Sequence, residues 1–571
     1  MATINIGCVL DKKSMDILDH FFIHNNTVYN CNLHIKAIMK QNKRDYNVFF
    51  NVHTVSGIVI SVGLFVIFFA GAFALFMDEI NQWQHNETKN IVFTPKIDYD
   101  RILEITKKEG FDLKGRESIT INYNRSNANY ISVNSSPIKI QKDTKQAFNA
   151  KDSLAKAKIY LKIDPKTYNV IARKRVVQGN LGSFLYYLHY FKQIPLIGRY
   201  IAGLVSLFFA VAIFSGIIIH WKKIISNFFT FRIKNSIKNL WTDAHAALGV
   251  LGIPFQLMYA ITGVYFGLLS LLYLPSFFIV FDGDFDKTTE LILPPKTAIV
   301  EVQQTNPKIQ INTLIDNTLA DVNKNDLNRV FVEIKKFEEP DASMSVDLLH
   351  NGANKFAAST RSLFRLSDGE KIYQKLLYDD YYNATSKTIR KLHYAEYGGY
   401  VTKIIYFILS IITCFVIISG VLIWLEARAN KKFISKAKFN TNVGAIYMGV
   451  CMGLYPSIAL LFCLVKVFSS STKGEFGILS NVFFLFWLVL IIYAFLKKSI
   501  HKITKHFLLL AGIFGILIPI LNGIQSGSWF CKAIQNTSTF FIDVCWLITG
   551  IITLLISFKM KPLKKAITKL Q

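Results

Sequence analysis

Residues 48–77 read VFFNVHTVSGIVISVGLFVIFFAGAFALFM, an apolar run that contains one histidine, His53. A helix of about 20 apolar residues crosses the hydrocarbon core of a bilayer. The run is too long and too far from the start of the chain for a cleaved signal peptide, so it predicts a retained membrane helix. His53 is followed by Gly57 and Gly71, four and eighteen residues later.

The same spacing occurs a second time, because His245 is followed by Gly249 and Gly263 with identical offsets. Two more histidines, His189 and His393, each stand in a Leu-His-Tyr triplet. Each is followed 27 residues later by the glycine of a Ser-Gly pair, Ser215-Gly216 and Ser419-Gly420. The two histidines of a unit are 136 residues apart in the first unit and 148 in the second. This pattern indicates a duplication whose connecting segments diverged in length.

Other apolar runs predict further spans, in a chain that is 51% hydrophobic. Eight runs have the length that a membrane helix needs: 48–77, 198–221, 246–274, 401–425, 443–468, 478–496, 507–525 and 538–558. The last four contain no histidine in a span interior, so they do not continue the repeat.

The net charge of +27 is distributed as membrane topology requires. Lysines and arginines cluster after spans two, four, six and eight, whereas the loops 469–477 and 526–537 carry one lysine each. Basic residues concentrate in cytoplasmic loops. This distribution predicts that both termini lie in the cytoplasm, favours contact with lipid headgroups, and argues against nucleic acid as a partner.

The predicted segments follow from these spans. They are a cytoplasmic tail (1–45), span one (46–78), a first outer domain (79–197), span two (198–221), a basic loop (222–244), span three (245–274), a second outer domain (275–400), span four (401–425), a basic loop (426–442), four additional spans (443–558) and a cytoplasmic tail (559–571).

Each outer domain reads as a small α+β module. The first predicts a helix from Tyr99 to Glu109 and strands at 117–123, 129–133 and 157–162. The second predicts a helix at 309–322, strands at 328–335 and 343–348, and a hairpin of 362–366 with 371–375 around Asp368-Gly369.

Histidines in a membrane usually face the interior of a helix bundle and carry function. Imidazole is also a good iron ligand, and two histidines on different helices can hold one haem. Spans one and three run outward, so His53 and His245 lie near the cytoplasmic face, whereas His189 and His393 lie near the outer face. The eighteen residues from His53 to Gly71 cover about 27 Å. We therefore predict two haems, with axial ligand pairs His53 with His245 and His189 with His393.

Several alternatives stay open at this stage. Buried, hydrogen-bonded histidines or a proton relay explain the same residues, although no acidic residue lies in the middle of a span of the repeat. Gly57, Gly71, Gly249 and Gly263 provide room for a porphyrin or for ordinary helix packing. His220 is an interfacial residue or an alternative ligand of the inner haem. Asn51 and Asp243, two residues before the inner histidines, orient a ring or cap a helix.

The cysteines limit the type of haem. None of the seven, Cys8, Cys31, Cys414, Cys451, Cys463, Cys531 and Cys545, lies in an outer domain, and no C-x-x-C-H motif occurs. Covalent attachment of c-type haem is therefore excluded by sequence, and b-type haem is the cofactor that we expect.

These motifs resemble the PepSY-associated transmembrane family, which includes iron-regulated inner-membrane proteins and siderophore reductases. The resemblance rests on His53-Thr54-Val55-Ser56-Gly57, His245-Ala246-Ala247-Leu248-Gly249, Thr262-Gly263, the Leu-His-Tyr triplets and Leu161-Lys162-Ile163-Asp164-Pro165-Lys166-Thr167. It covers residues 45–425, and the first unit departs by having Ala70-Gly71 where Thr-Gly is usual. For these residues it implies a duplicated four-helix haem-binding bundle that carries two periplasmic α+β PepSY-like domains. Together with the four additional spans, which are not in the family's pattern, the expected fold is an α-helical integral protein of the bacterial inner membrane with eight transmembrane helices.

The resemblance also implies an activity, haem-dependent reduction of ferric siderophores on the periplasmic side. The residues expected to meet this substrate are Tyr186, Tyr187, Tyr190, Arg199 and Tyr394, although an aromatic belt explains the tyrosines equally well. No G-x-G-x-x-G unit is visible, so quinol or a separate cytoplasmic reductase is the expected electron donor. Two other interpretations remain: a non-enzymatic protein that binds or inhibits a peptidase, and a transporter of iron complexes.

Overall fold

The computed structural model describes residues 43–86, 93–125, 127–138, 157–173, 179–221, 237–284, 310–323, 326–352, 355–376, 381–428, 437–468, 472–527, 529 and 537–561. Most of the two predicted tails and of the two predicted basic loops lies outside these residues.

The elements are numbered in chain order. The helices are α1 (Lys43–Ala74), α2 (Met77–Gln84), α3 (Tyr99–Lys108), α4 (Leu181–His189), α5 (Gly198–His220), α6 (Ile237–Val280), α7 (Ile311–Ala320), α8 (Tyr381–Tyr394), α9 (Gly399–Arg428), α10 (Ala437–Val467), α11 (Lys473–Lys497), α12 (Ile500–Ser526) and α13 (Thr537–Lys559). The strands are β1 (Ser118–Asn124), β2 (Asn127–Ser135), β3 (Tyr160–Ile163), β4 (Val170–Ala172), β5 (Leu327–Lys335), β6 (Ser343–Gly352), β7 (Lys355–Arg365) and β8 (Lys371–Leu376).

Eight helices in the described residues are long and apolar enough to cross a membrane, as the sequence predicted. They are α1, α5, α6, α9 and α10–α13. Helices α1, α5, α6 and α9 form a closed ring in which each helix packs against the next and α9 returns to α1. The ring therefore contains one helix pair from each unit of the repeat.

The last four membrane helices form a second group beside this ring. Helix α10 packs against α11 and α12, and α12 packs against α13. A Cβ atom on Gly515 of α12 would lie 3.0 Å from the Cα of Gly550 of α13, so the two backbones touch through small residues. Helix α10 also contacts α1 and α9, which attaches the group to the ring.

The strands of both units form one antiparallel sheet in the order β4-β3-β2-β1-β5-β6-β7-β8. The sequence predicted two separate outer domains, and the structure corrects this: β1 pairs with β5, with Ile121 opposite Val332. Without this pairing, β1 and β5 would each be an edge strand with unpaired backbone groups. The β1–β5 pairing satisfies the backbone groups of both strands. Most predicted helices and strands of each half lie within a few residues of their predicted bounds, but β7 begins at Lys355, seven residues before the predicted 362, and β4 was not predicted.

The two faces of the sheet differ in chemistry, because side chains alternate along a strand. Ile119, Ile121 and Tyr123 of β1 are buried in a core that includes apolar residues of α3 and α7. Asn122 and Asn124 alternate with them and point away from this core. The polar face of the central strands is therefore turned toward the membrane helices.

Helices α2, α4 and α8 were missed by the sequence analysis. Helix α1 ends at Ala74, and the end of the predicted first span belongs to the separate helix α2. Helices α4 and α8 are short connectors between the sheet and the next membrane helix, and they end at His189 and Tyr394. Both continue into a matched turn: Phe191 and Ala395 have positive φ angles of 59° and 51°. Hydrogen bonds from Lys192 N to Tyr187 O and from Glu396 N to Lys391 O complete a Schellman-type end.

The helices α3 and α7 begin beside each other, and each supplies hydrogen bonds to the other. The Asp100 carboxylate accepts from the backbone N–H groups of Ile311 and Asn312, each at 3.0 Å. The Asn312 side-chain oxygen accepts from Tyr99 N at 2.7 Å. Gln310, which precedes α7, provides no side-chain cap of its own. A residue of the first unit therefore caps a helix of the second.

We expect Asp100→Ala to destabilise α7, because two first-turn N–H groups lose their acceptor, at a cost of about 1 kcal/mol. Hydrogen exchange of the amides 311–320 measures the effect, and Glu104→Ala on the exposed side of α3 is the matched control. Equal exchange in the two variants would contradict the cap between the units.

Candidate cofactor-binding site

The structure brings the four predicted histidines together in two pairs. His53 of α1 and His245 of α6 have ring centroids 6.1 Å apart. His189 at the end of α4 and His393 near the end of α8 have the same separation, 6.1 Å. His53 and His245 lie on the side of the predicted basic loops and are called the loop-side pair. His189 and His393 lie on the helices that connect to the sheet and are called the sheet-side pair. Their composition matches the pairing predicted from helix direction.

Each histidine uses Nδ1 to hydrogen-bond a helix. The acceptors are Ala212 O for His53 (2.8 Å), Val416 O for His245 (2.9 Å), Ile67 O for His189 (2.7 Å) and Thr262 Oγ1 for His393 (2.8 Å). A carbonyl oxygen can only accept, so the first three rings carry their proton on Nδ1. The Thr262 hydroxyl donates to Met258 O at 2.8 Å, which leaves its oxygen to accept from His393. In all four rings, the basic lone pair is thereby placed on Nε2, the atom that can bind a metal.

The glycines four residues after the accepting carbonyls make these contacts possible. A Cβ atom on Gly71 would lie 2.7 Å from His189 Nδ1, and one on Gly216 or Gly420 would lie 3.1 Å from Cε1 of His53 or His245. Gly71 was predicted to provide room for a porphyrin or for helix packing, and in the structure it provides room for the His189 imidazole. Gly216 and Gly420 do the same but were not among the predicted site residues, although their repeated spacing was visible.

The fourth histidine departs from this rule because the second unit has Thr262-Gly263 where the first has Ala70-Gly71. Thr262 replaces the backbone carbonyl as the partner of His393. A Cβ atom on Gly263 would lie 2.4 Å from Ser206 Oγ of α5, so Gly263 serves close helix packing.

Gly57 and Gly249 border open space. Each lies one helical turn beyond a loop-side histidine and therefore on the same face of its helix. A Cβ atom added at either position would have no neighbouring atom within 4 Å. Both glycines thus leave space beside the loop-side pair for a ligand.

The pairs fit the axial ligands of a haem. Two imidazoles on opposite sides of one metal ion, each bonded at about 2.0–2.1 Å, have ring centroids about 6 Å apart. Within the described residues, no group of three or more histidine, cysteine or acidic side chains has metal-binding geometry. A haem needs only two protein ligands because the porphyrin provides the other four.

The secondary candidates have different positions. His220 ends α5, partly buried, and is close enough to interact electrostatically with His53 and His245. Asn51 is exposed and Asp243 is buried, and both lie inside helices that begin several residues earlier. The helix-capping interpretation of these two residues is therefore wrong.

Burial keeps the sheet-side histidines neutral. It lowers the pKa of His189, against a smaller opposing effect of its bond to Ile67 O, and it lowers the pKa of His393 to about 3. Neutral imidazole is the form that coordinates a metal.

A cavity of about 990 Å³ opens beside the sheet-side pair. Its wall includes His189 and His393 together with Tyr186, Tyr190, Arg199 and Tyr394. Four of the five residues predicted to meet a substrate therefore line it. Tyr187 does not, and Lys192 lies over its ring at 4.1 Å.

The cavity is strongly cationic. Six basic side chains line it, Arg125, Arg199, Arg329, Arg390, Lys391 and Lys403, against the acidic Asp78 and Glu396. Lys403 is also paired with Glu79 at 2.9 Å, which leaves an excess of three positive charges. The polar face of the sheet forms its roof through Asn122, Asn124, Arg125, Asn328 and Arg329. The sequence analysis missed these roof residues. Strand alternation marks Asn122, Asn124 and Arg329 as facing away from the core, but only the pairing of β1 with β5 places them over the histidines.

A comparison with known families agrees with this architecture. The profile described as the PepSY-associated TM region matches residues 50–427, which include all four histidines and end before the last four helices. Among curated proteins, none matches the chain. The chain belongs to the PepSY-associated transmembrane family.

Proposed function

We propose that this protein is an electron-transfer protein of the bacterial inner membrane that holds two b-type haems and reduces a periplasmic ferric complex of the siderophore type. The observation that carries the proposal is the pair of facing histidines at each end of one helix ring. Both pairs have the same ring separation and a proton on Nδ1, which leaves Nε2 of each ring for a ligand.

Bound haem supplies one-electron oxidation and reduction at each of the two positions. The protein fixes the ligand rings through their Nδ1 bonds. Aromatic side chains fill the interior of the four-helix ring between the two histidine pairs. Phe255 contacts Phe68 and Tyr259, and Tyr259 contacts the imidazole of His393 at a centroid distance of 5.0 Å. Phe68 and Phe255 are buried, so the space between the two positions is largely apolar.

The distribution of basic residues indicates the orientation of the protein in the membrane, and with it the direction of electron transfer. Basic residues concentrate at the loop-side ends of the membrane helices, which favours a cytoplasmic loop side and a periplasmic sheet. Electrons would enter near the loop-side pair from quinol or a separate cytoplasmic reductase. They would leave at the sheet-side pair, where the cavity opens.

The cavity favours an anionic ferric complex. Its excess of positive charge attracts carboxylate-rich or catecholate-rich chelates of Fe(III). Reduction lowers the charge of the iron and so weakens its attraction to anionic oxygen ligands. A peptidase-binding role leaves the two matched histidine pairs without an explanation.

Replacing one ligand should remove one haem. We expect wild-type protein to bind two b-type haems per chain, and His189→Ala or His53→Ala to retain one. Haem quantification and the reduced-minus-oxidised spectrum of purified protein measure this. His501→Ala, in the first turn of α12, is the control and should retain both. Wild-type protein produced with ample haem but containing none would refute the proposal.

The glycine positions test where the porphyrin lies. Gly57→Leu should lower haem content, because its side chain enters the open space beside the loop-side pair. Gly477→Leu in α11 is the matched control, since it also borders open space but lies outside the ring. Haem titration of both purified variants measures the difference. Equal haem binding would contradict the assignment of the space at Gly57 to the porphyrin.

Arg329→Gln should weaken binding of an anionic substrate. Arg329 lines the cavity and is oriented by a hydrogen bond to Asn122 Oδ1 at 2.7 Å. We expect KM for ferric citrate to rise about three- to tenfold at low salt, with a smaller change for a neutral ferric trihydroxamate. Arg365→Gln removes the same charge from the sheet outside the cavity and should change neither value. An equal effect on both substrates would argue against charge selection.

A further inference from the structure

A buried polar cluster lies outside the histidine site, in the last four helices. Lys466 of α10 is 2% exposed and Asp543 of α13 is 3% exposed. Asn522 of α12 and Trp83 of α2 complete the cluster, and both are fully buried. Charged groups at such depth are costly unless they are paired and hydrogen-bonded, and in a membrane they usually have a function.

The contacts of this cluster converge on helix α2. The Lys466 ammonium donates to Trp83 O at 2.6 Å, to Gln84 O at 3.3 Å and to Asn86 Oδ1 at 2.9 Å. A cation at the carbonyl end of a helix complements its dipole. The Asp543 carboxylate accepts from Trp83 Nε1 at 2.8 Å and from Asn522 Nδ2 at 2.7 Å. Two of the last four helices, α10 and α13, therefore hold the end of α2 directly, and α12 supports Asp543 of α13 through Asn522.

Helix α2 in turn holds the start of α4. Asn81 Oδ1 accepts from Gly182 N at 2.8 Å, and Gln84 Oε1 accepts from Leu181 N at 2.7 Å. Asn180, which precedes α4, provides no side-chain cap, so these first-turn N–H groups depend on α2. A Cβ atom on Gly182 would lie 2.3 Å from Met77 O, which shows how closely the two helices approach.

Helix α4 has only nine residues and ends at His189, so its position sets the position of this ring. The other member of the sheet-side pair is held differently. His393 belongs to the fourteen-residue helix α8, which packs against β7 of the sheet and against α6. The hydrogen bonds of the cluster therefore lead through α2 to α4 and His189, whereas α2 reaches the chain after His393 only at the start of α9, through the Glu79–Lys403 ion pair.

We propose that the last four membrane helices are a clamp that positions His189, acting through Lys466, Asp543 and Trp83 on α2 and through α2 on α4. These are positioning residues, which touch neither the histidines nor the cavity. The expected effect on a haem rests on the proposed function. The connection from the cluster through α2 to α4 rests on the contacts alone.

The test uses the full-length protein and the variant Trp83→Phe, which removes the donor to Asp543. Lys466→Met combined with Asp543→Asn is the second variant, because it leaves no unpaired buried charge if Trp83→Phe folds poorly. Ser557→Ala is the control: Ser557 is equally buried in α13, but its hydroxyl donates to Lys505 O.

Hydrogen exchange of the amides 181–189, measured on protein without haem, is the first readout. We expect exchange to be at least about tenfold faster in the clamp variants and unchanged in the control. The reduction potentials of the two haems are the second readout. The haem at the sheet-side pair should shift, and the other should not.

Unchanged exchange in α4 in both clamp variants would overturn the clamp. Faster exchange with both haem potentials unchanged would overturn the positioning of His189, and an equal shift of both haems would indicate general loosening instead. If wild-type protein binds no haem, the proposed function fails, and the exchange measurement still decides whether the clamp exists.

Discussion

The structure depends on one repeated interaction, the hydrogen bond from an imidazole Nδ1 to a neighbouring membrane helix. His53, His189 and His245 all bond to a carbonyl that lies four residues before a glycine. The glycine is needed because a Cβ atom at that position would collide with the ring or press against it. The bond fixes the ring, assigns its proton to Nδ1 and leaves Nε2 to a ligand.

The closed ring of helices supplies the hydrogen-bond acceptors of the histidines, and the single sheet covers the sheet-side pair. Pairing β1 with β5 satisfies the edge strands of both units and joins them above the membrane helices. The same pairing brings Arg329 of one unit beside Asn122 of the other, over the sheet-side histidines. A duplicated sequence thus builds one cavity with contributions from both copies, where two separate domains were expected.

The two copies have diverged where their histidines are supported. Thr262 takes the place of a backbone carbonyl for His393, whereas the first unit has Ala70 at the equivalent position. His189 ends the short helix α4, which packs against α2, and α2 packs against α13 of the last four helices. His393 lies on the longer helix α8, which packs against the sheet. Equal ring separations in the two pairs are therefore achieved by unequal supports.

The sequence by itself determined the eight membrane helices, the duplication and the identity of both histidine pairs. These depend on local patterns: apolar length sets a span, and helix direction sets the depth of a residue within it. The strands near Ile121 and Val332 were also predictable, because their alternation is local. Only the tertiary structure decided that β1 pairs with β5, that Gly71 contacts a ring, and that Lys466 and Asp543 hold α2. These contacts join residues far apart in the chain, and their geometry depends on how whole helices and strands pack.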